Sequence, residues 1–292
     1  MPFGRKIEVK KSKYEIDMCS GSIMDKLISF SLPLMLSGIL QLMFNAVDII
    51  VVGRFSGSEA LAAVGSTTAL ISMFTNLFIG VSLGTSVLTA RFYAAGRDQE
   101  VSETVHTSIM LALLSGILMV FVGLFFSRVA LELMDTPDDV IDLSTLYMKI
   151  YFVGMPFFML YNYGAAVLRA VGDTKRPLFF LIISGVLNAG LNLFLVVVFH
   201  MGVAGVGIAT VISQMVSCVL VLICLYRAES SYQLRLSKLT MKGVYLKQIF
   251  QVGVPAGIQS TVINLSNVLL QSSVNSFGSI AMAGYTAANN LL

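Results

Sequence analysis

"PLFFLIISGVLNAGLNLFLVVVFHMGVAGVGIATVISQMVSCVLVLICLY", residues 177–226, contains no Asp, Glu, Lys or Arg. An α-helix rises 1.5 Å per residue, so roughly 20 apolar residues cross the hydrocarbon of a bilayer. This run is too long for one crossing, and "FHMGVAG" (199–205) supplies the turn between two. The rest of the chain repeats the pattern. Uncharged runs predict further spans at about 27–52, 60–88, 105–127 and 146–168, a seventh after Lys247, and the start of an eighth beyond "NSFGS" (275–279). Of the 292 residues 56% are hydrophobic and 12% charged, with mean hydropathy +0.84, too little charge to cover a soluble domain of this size. The expected fold is an all-α, polytopic membrane helix bundle. The net charge of +3 gives no case for a nucleic-acid partner.

The charges set the orientation. With a cytosolic N-terminus, the inner segments are 1–26, 91–104, 169–176 and 227–247, and they hold 16 of the 19 Lys and Arg. Arg54, Arg128 and Lys149 remain outside, so the positive-inside rule favours this topology. The loop between the third and fourth predicted spans is instead acidic: Glu132, Asp135, Asp138, Asp139 and Asp142. The N-terminus has basic residues but no apolar core before Ile23, so it reads as a cytosolic tail and not a signal peptide. Cys19, Cys218 and Cys224 lack metal or disulfide spacing and read as packing residues. His106 and His200 lie near the ends of apolar runs and are assigned no chemistry. The 16 methionines are read mainly as packing, although such side chains also suit an adaptable binding surface.

An internal repeat organises the spans. "LPLMLSGILQLMFNAVDIIVVGRFSGSEALAAV" (32–64) resembles "VPAGIQSTVINLSNVLLQSSVNSFGSIAMAGY" (254–285). Pro33 falls on Pro255, Asn45 on Asn267 and Phe55 on Phe277, all at an offset of 222. Six spans return the chain to its starting side, so the repeats are expected to be parallel, related by an axis along the membrane normal. The expected organisation is a tail at 1–24, a six-helix lobe at 25–226, a cytosolic linker at 227–247 and the start of a second lobe at 248–292. The second copy stops inside its second helix, which leads to the expectation of a piece truncated from a twelve-helix protein.

One acid interrupts the apolar runs. In "QLMFNAVDIIVVGRF" (41–55), Asp48 is the single acidic residue of the 16 that falls within a predicted span. A carboxylate near a helix centre costs about 2.5–3.5 kcal/mol on insertion scales and normally faces a bundle interior or a water-filled cavity, with partners. It reads either as a functional group or as an inert, protonated anchor between helices. Counting from the outer ends of the spans, Asp48 lies roughly 9 Å deep, Thr210 10, Asn192 12, Asn45 13, Gln214 16 and Asn188 18 Å. Asn188 and Asn192 are four residues apart, hence on one helix face. Carboxylate, amide and hydroxyl oxygens at similar depth suit a proton or a hard cation such as sodium, and the two would compete for the carboxylate. Pro33 and Pro255 each remove a backbone hydrogen bond inside a span and mark a hinge or a static bend. Tyr161, Asn162 and Tyr163, in the middle of the fourth span, are candidate cavity-lining residues.

"NAVDIIVVGRFSGSEALAAVG" (45–65), "VLRAVGDTKRPLFF" (167–180) and "NAGLNLFLVVVFHMGVAGVGIATVISQ" (188–214) resemble the first lobe of the multidrug and toxin extrusion (MATE) transporters. The resemblance runs over about 25–292 and is most specific at "LRAVGDTKRP". It implies twelve helices in two bundles around a central cavity. It also implies export of amphipathic, often cationic molecules in exchange for protons or sodium, from the cell membrane, by a monomer when complete and without a cofactor. It implies a first-lobe ion site at Asp48, Asn188, Asn192 and Thr210. Asn192 departs from the family pattern, with an amide where a second carboxylate is expected, so the site carries one fewer negative charge. The membrane-embedded glutamate of some relatives has no counterpart, because Pro255–Leu292 holds no acid. "RAVGDTKRP" (169–177) reads either as a cytosolic gate latch or as a polar turn that ends one helix and starts the next.

Three other readings compete. A lipid-linked sugar or precursor flippase of the same superfamily would need basic residues in its cavity, and the predicted spans embed none, Lys149 lying at the outer end of its span. An intramembrane enzyme would need paired acids, a His cluster or a Ser–Lys pair. A chain of these residues alone could also be an inactive fragment.

Overall fold

The computed structural model describes residues 22–289, so most of the predicted tail lies outside the described residues. These residues form nine α-helices and no strand. They are α1 (Ile23–Phe55), α2 (Gly57–Ala94), α3 (Asp98–Glu132), α4 (Asp138–Val153), α5 (Met155–Ala170), α6 (Lys175–Leu193), α7 (Gly202–Tyr226), α8 (Gly243–Asn275) and α9 (Ser279–Asn289). α1, α2, α3, α6 (with the π-helical turn Phe194–Val198 that ends it) and α7 are each long and apolar enough to cross a bilayer. The helices run past the predicted apolar limits because polar residues such as Asp98 and Glu132 continue the helix where it leaves the hydrocarbon. The protein is a multi-pass membrane bundle.

The fourth predicted span departs from expectation. The helix expected over 146–168 is two helices, α4 and α5, bent by 48° where they meet at Gly154. Pro156, at the start of α5, has no N–H to continue the ladder of α4, and it fits a first helical turn. The acidic segment after Glu132 is thereby partly helical, because α4 begins at Asp138. Pro33 and Pro255, by contrast, sit inside unbroken helices, with Pro33 buried and Pro255 exposed.

α2 forms the middle of the bundle, against α8, α5, α4, α9 and α3. α3 packs on α5 and α4, α6 on α7, and α1 on α6. α1 is peripheral: only Pro33, Asp48, Val51 and Val52 are buried, and its Leu, Ile and Met side chains form an outward apolar face of the kind lipid tails solvate. Inside the bundle, hydroxyls bond back to their own helix, as Thr75 does to the Ile71 carbonyl (2.8 Å) and Ser108 to that of Thr104 (2.7 Å). Such bonds satisfy polar groups that have no water to turn to.

At "RAVGDTKRP" the chain turns. Gly172 has φ +88°, and Asp173 Oδ1 accepts the Arg176 N–H at 3.1 Å at the start of α6. Arg176 forms an ion pair with Asp173 and donates to Cys224 Sγ at 3.0 Å. The segment is a polar turn with its charges folded onto the bundle. The end of the bundle that carries this turn and residues 227–242 is called the basic end below, and the end around Glu132–Asp142 the acidic end.

Candidate functional site

α1, α6 and α7 meet around Asp48. The approach of α1 to α6 depends on Gly185, since a Cβ at that position would overlap the Phe44 ring. With those helices close, Asp48 of α1 lies 9% exposed beside Asn188 and Asn192 of α6, which are 6% and 0% exposed. Asn192 Nδ2 donates to Asp48 Oδ1 and also to Asn188 Oδ1, the latter at 3.2 Å. Asn188 Nδ2 donates in turn to Thr210 Oγ1 of α7 at 3.4 Å, and Thr210 Oγ1 donates to the Val206 carbonyl at 3.0 Å. The result is a chain of hydrogen bonds across three helices: Asn192 donates to the carboxylate on one side and to Asn188 on the other, from where the chain runs through Thr210 to the Val206 carbonyl. The i,i+4 spacing of the two asparagines puts both amides on the one face that α1 and α7 share.

One atom of this chain stands out. Asn192 Oδ1 is fully buried and accepts no hydrogen bond among the described residues. A buried amide oxygen left without a donor costs about 1–3 kcal/mol. It is a buried acceptor on the same amide whose N–H bonds Asp48.

The remaining candidates scatter. Asn45, one turn before Asp48, is exposed on α1. Gln214 is half-buried on α7, its Oε1 near the Gly154 break. Tyr161 donates to the Pro177 carbonyl at 3.1 Å and Asn162 to that of Phe158 at 2.8 Å, both half-buried on α5. Tyr163 is fully enclosed in the hydrophobic core and lines no open surface. Pro33 lies roughly 22 Å from Asp48 along α1 at the helical rise per residue, and Pro255 belongs to α8, outside the three helices of the cluster.

Two residues near the cluster escaped sequence reasoning. Tyr147 and Tyr151 of α4 lie within electrostatic reach of Asp48, and Tyr151 interacts with Gln214. They are four residues apart, with rings 6.1 Å apart, on the helix that packs against α7 and ends at the Gly154 bend. Their i,i+4 spacing is readable in sequence, but the bend that aims them is not.

A polytopic bundle that buries one carboxylate among amides and a hydroxyl, where three spans meet, has the architecture of a membrane transporter. Comparison with known proteins narrows the class. The MatE family model matches residues 33–194, more than half of the chain. The chain belongs to this family of membrane transporters. It is 33% identical over 271 residues to the probable multidrug resistance protein YoeA of Bacillus subtilis, covering 90% of this chain and 58% of that protein. It is 31% identical to the probable multidrug resistance protein YpnP of the same organism, covering 94% and 61%. Among solved structures it superposes on the MATE multidrug transporter DinF-BH with a TM-score of 0.88 at 23% identity, covering 96% of this chain and 63% of that one. An outward-facing MATE family transporter gives 0.84, also at 23% identity, over 97% and 63%. These likenesses show the fold. The chain spans about three-fifths of the length of the relatives it matches.

Proposed function

We propose that these residues are the first lobe and the opening of the second lobe of a secondary active exporter in the cell membrane. It expels small amphipathic, often cationic molecules in exchange for protons or sodium, with the basic end cytosolic and no cofactor. The support is the family, the names of the relatives and the site. The observation that carries the reading is the hydrogen-bonded chain from Thr210 through Asn188 and Asn192 to Asp48. Protonated, Asp48 is neutral and compatible with burial. Deprotonated, it is a charge in a low-dielectric bundle that the Asn192 amide only partly compensates. Loading and releasing a proton therefore changes how strongly α1, α6 and α7 hold together, which is the coupling an antiporter requires.

Protons are the favoured ion. The Asn192 group that faces Asp48 is an N–H donor, which occupies the side from which a cation would approach. Sodium binding would require that amide to turn and present Oδ1 beside the carboxylate and Thr210. The absence of a second carboxylate at Asn192 also lowers the charge available to a cation. A flippase reading has less support, because the apolar cores of α1, α2, α3 and α6 carry no Lys or Arg to meet a pyrophosphate.

The test is extrusion of a fluorescent cation from cells making the full-length reading frame that contains these residues. Extrusion should collapse when the proton gradient is dissipated and persist when sodium is replaced by choline. Export that ignores both gradients would overturn the proposal.

A further inference from the structure

Buried hydroxyls in this bundle divide into two sets. On α2 and α3, Thr75 donates to the Ile71 carbonyl at 2.8 Å, Thr107 to that of Glu103 at 2.7 Å and Ser115 to that of Ala112 at 3.0 Å. Thr85 and Thr89 of α2, Thr104 of α3 and Tyr163 of α5 behave differently. Each is 0% exposed, and its hydroxyl oxygen has no hydrogen-bond partner among the described residues. The three helices that carry them pack on one another.

Their depths agree. Counted from the basic ends of the helices at the helical rise per residue, Thr89 lies roughly 8 Å deep, Thr104 9, Tyr163 10 and Thr85 14 Å. A long side chain leans toward the N-terminus of its own helix, so the Tyr163 hydroxyl reaches deeper, toward the level of Thr85. Their faces agree as well. Thr85 and Thr89 are one turn apart and share a side of α2. Thr85 is also three turns from Phe74, whose ring meets that of Phe152 at the α4–α5 break, with centroids 6.1 Å apart. That side of α2 turns away from α8, against which a Cβ on Gly80 would overlap Gly257 and one on Gly84 the Ile249 carbonyl. On α5, Tyr163 is two turns from Pro156. Pro156 fits against Gly116 of α3, where a Cβ would come within 2.5 Å of Pro156 Cα. Tyr163 therefore looks toward α3, which carries Thr104 at the same level.

An enclosed hydroxyl that bonds nothing destabilises a fold, and several at one level point to a shared partner. Each hydroxyl supplies one donor and an acceptor, and an ordered water takes about two to four such partners. A bare cation would need negative charge, and no carboxylate is buried among the described residues of α2, α3 and α5. We propose that α2, α3 and α5 enclose ordered water in the basic half of the bundle, held by Thr85, Thr89, Thr104 and Tyr163. The water joins the three helices through bonds that these side chains do not make to one another. The site is separate from the Asp48 cluster on α1, α6 and α7, and it holds whichever ion drives transport.

The test is X-ray radiolysis of the full-length protein in native membranes. Water beside a side chain is split to hydroxyl radical, and mass spectrometry locates the oxygen it adds. Tyr163 should be labelled at least threefold faster than Phe152, an equally enclosed ring in the apolar core. Thr85→Val should cut that labelling by half or more, and Thr85→Ser, which keeps the hydroxyl, should retain it. Labelling of Tyr163 at the rate of Phe152 overturns the proposal, as does undiminished labelling in Thr85→Val. Thermal unfolding gives a second readout, with opposite signs for a wet and a dry site. In a dry site valine removes an unpartnered hydroxyl, and Thr85→Val or Thr89→Val would raise the unfolding temperature. With water bound, valine strips that water of a partner, and the unfolding temperature should fall. A rise or no change overturns the proposal.

Discussion

The bundle joins its helices in two opposite ways. Around Asp48, three helices are held by side chains: a carboxylate, two amides and a hydroxyl reach across the gaps and bond. Where α2 crosses α8, the side chains are absent, and glycines let the backbones touch. Within a bilayer, apolar burial does little to drive helices together, so association rests on close packing and on polar bonds. Close packing has one good arrangement and resists change. A polar cluster around an ionisable group has two, one for each charge state. The difference separates two kinds of junction: the α2–α8 crossing is held by close backbone packing, and the α1–α6–α7 junction is the one that, in the proposed function, an ion loosens or tightens.

The crossing is the easiest to break. Gly80→Leu or Gly257→Leu drives a side chain into the facing backbone, beyond the about 1–3 kcal/mol of ordinary overpacking. Each should abolish the monodisperse protein peak in detergent size-exclusion chromatography, and normal yield would show that the crossing is loose. Asn192→Leu removes both donors that organise the cluster and leaves Asp48 without its hydrogen bond. Export should fall at least tenfold with protein abundance within twofold of wild type, and an equal fall in both would make the residue merely structural. Thr210→Val keeps the shape but deletes the end of the hydrogen-bond chain, at a cost of about 1 kcal/mol. Export should drop severalfold, with a shift in its pH profile. Gly38→Ala is the smallest change. No neighbouring atom lies within 4 Å of the added methyl, and alanine favours helix over glycine by about 0.5–1 kcal/mol. It should slightly raise thermal stability and leave export unchanged, in contrast to any substitution at Gly80.

The two regions were also unequally legible in sequence. Asp48 announces itself because a charge inside an apolar run is expensive and therefore visible. Asn188 and Asn192 follow from their one-turn spacing, and Thr210 from counting depth along antiparallel spans. Tyr147 and Tyr151 could not be placed, since their aim depends on the bend at Gly154, where the sequence offered a straight helix over 146–168. The contacts of α8 and of the segment before it were hidden for another reason. His106 bonds the backbone of Arg235 and Asn275 bonds the backbone of Met134, and a backbone atom leaves no residue-type signature. The glycines of the crossing were visible as letters, but only the facing helix shows what each makes room for.

The central claim is that Asp48 carries the driving ion. Purified full-length protein in liposomes, given an inward-directed proton gradient, should take up protons as it moves a fluorescent cation the other way. The Asp48→Asn protein should fold, reconstitute and bind the cation, yet show neither gradient-driven movement nor substrate-linked proton flux. Undiminished gradient-driven transport by Asp48→Asn would contradict the account.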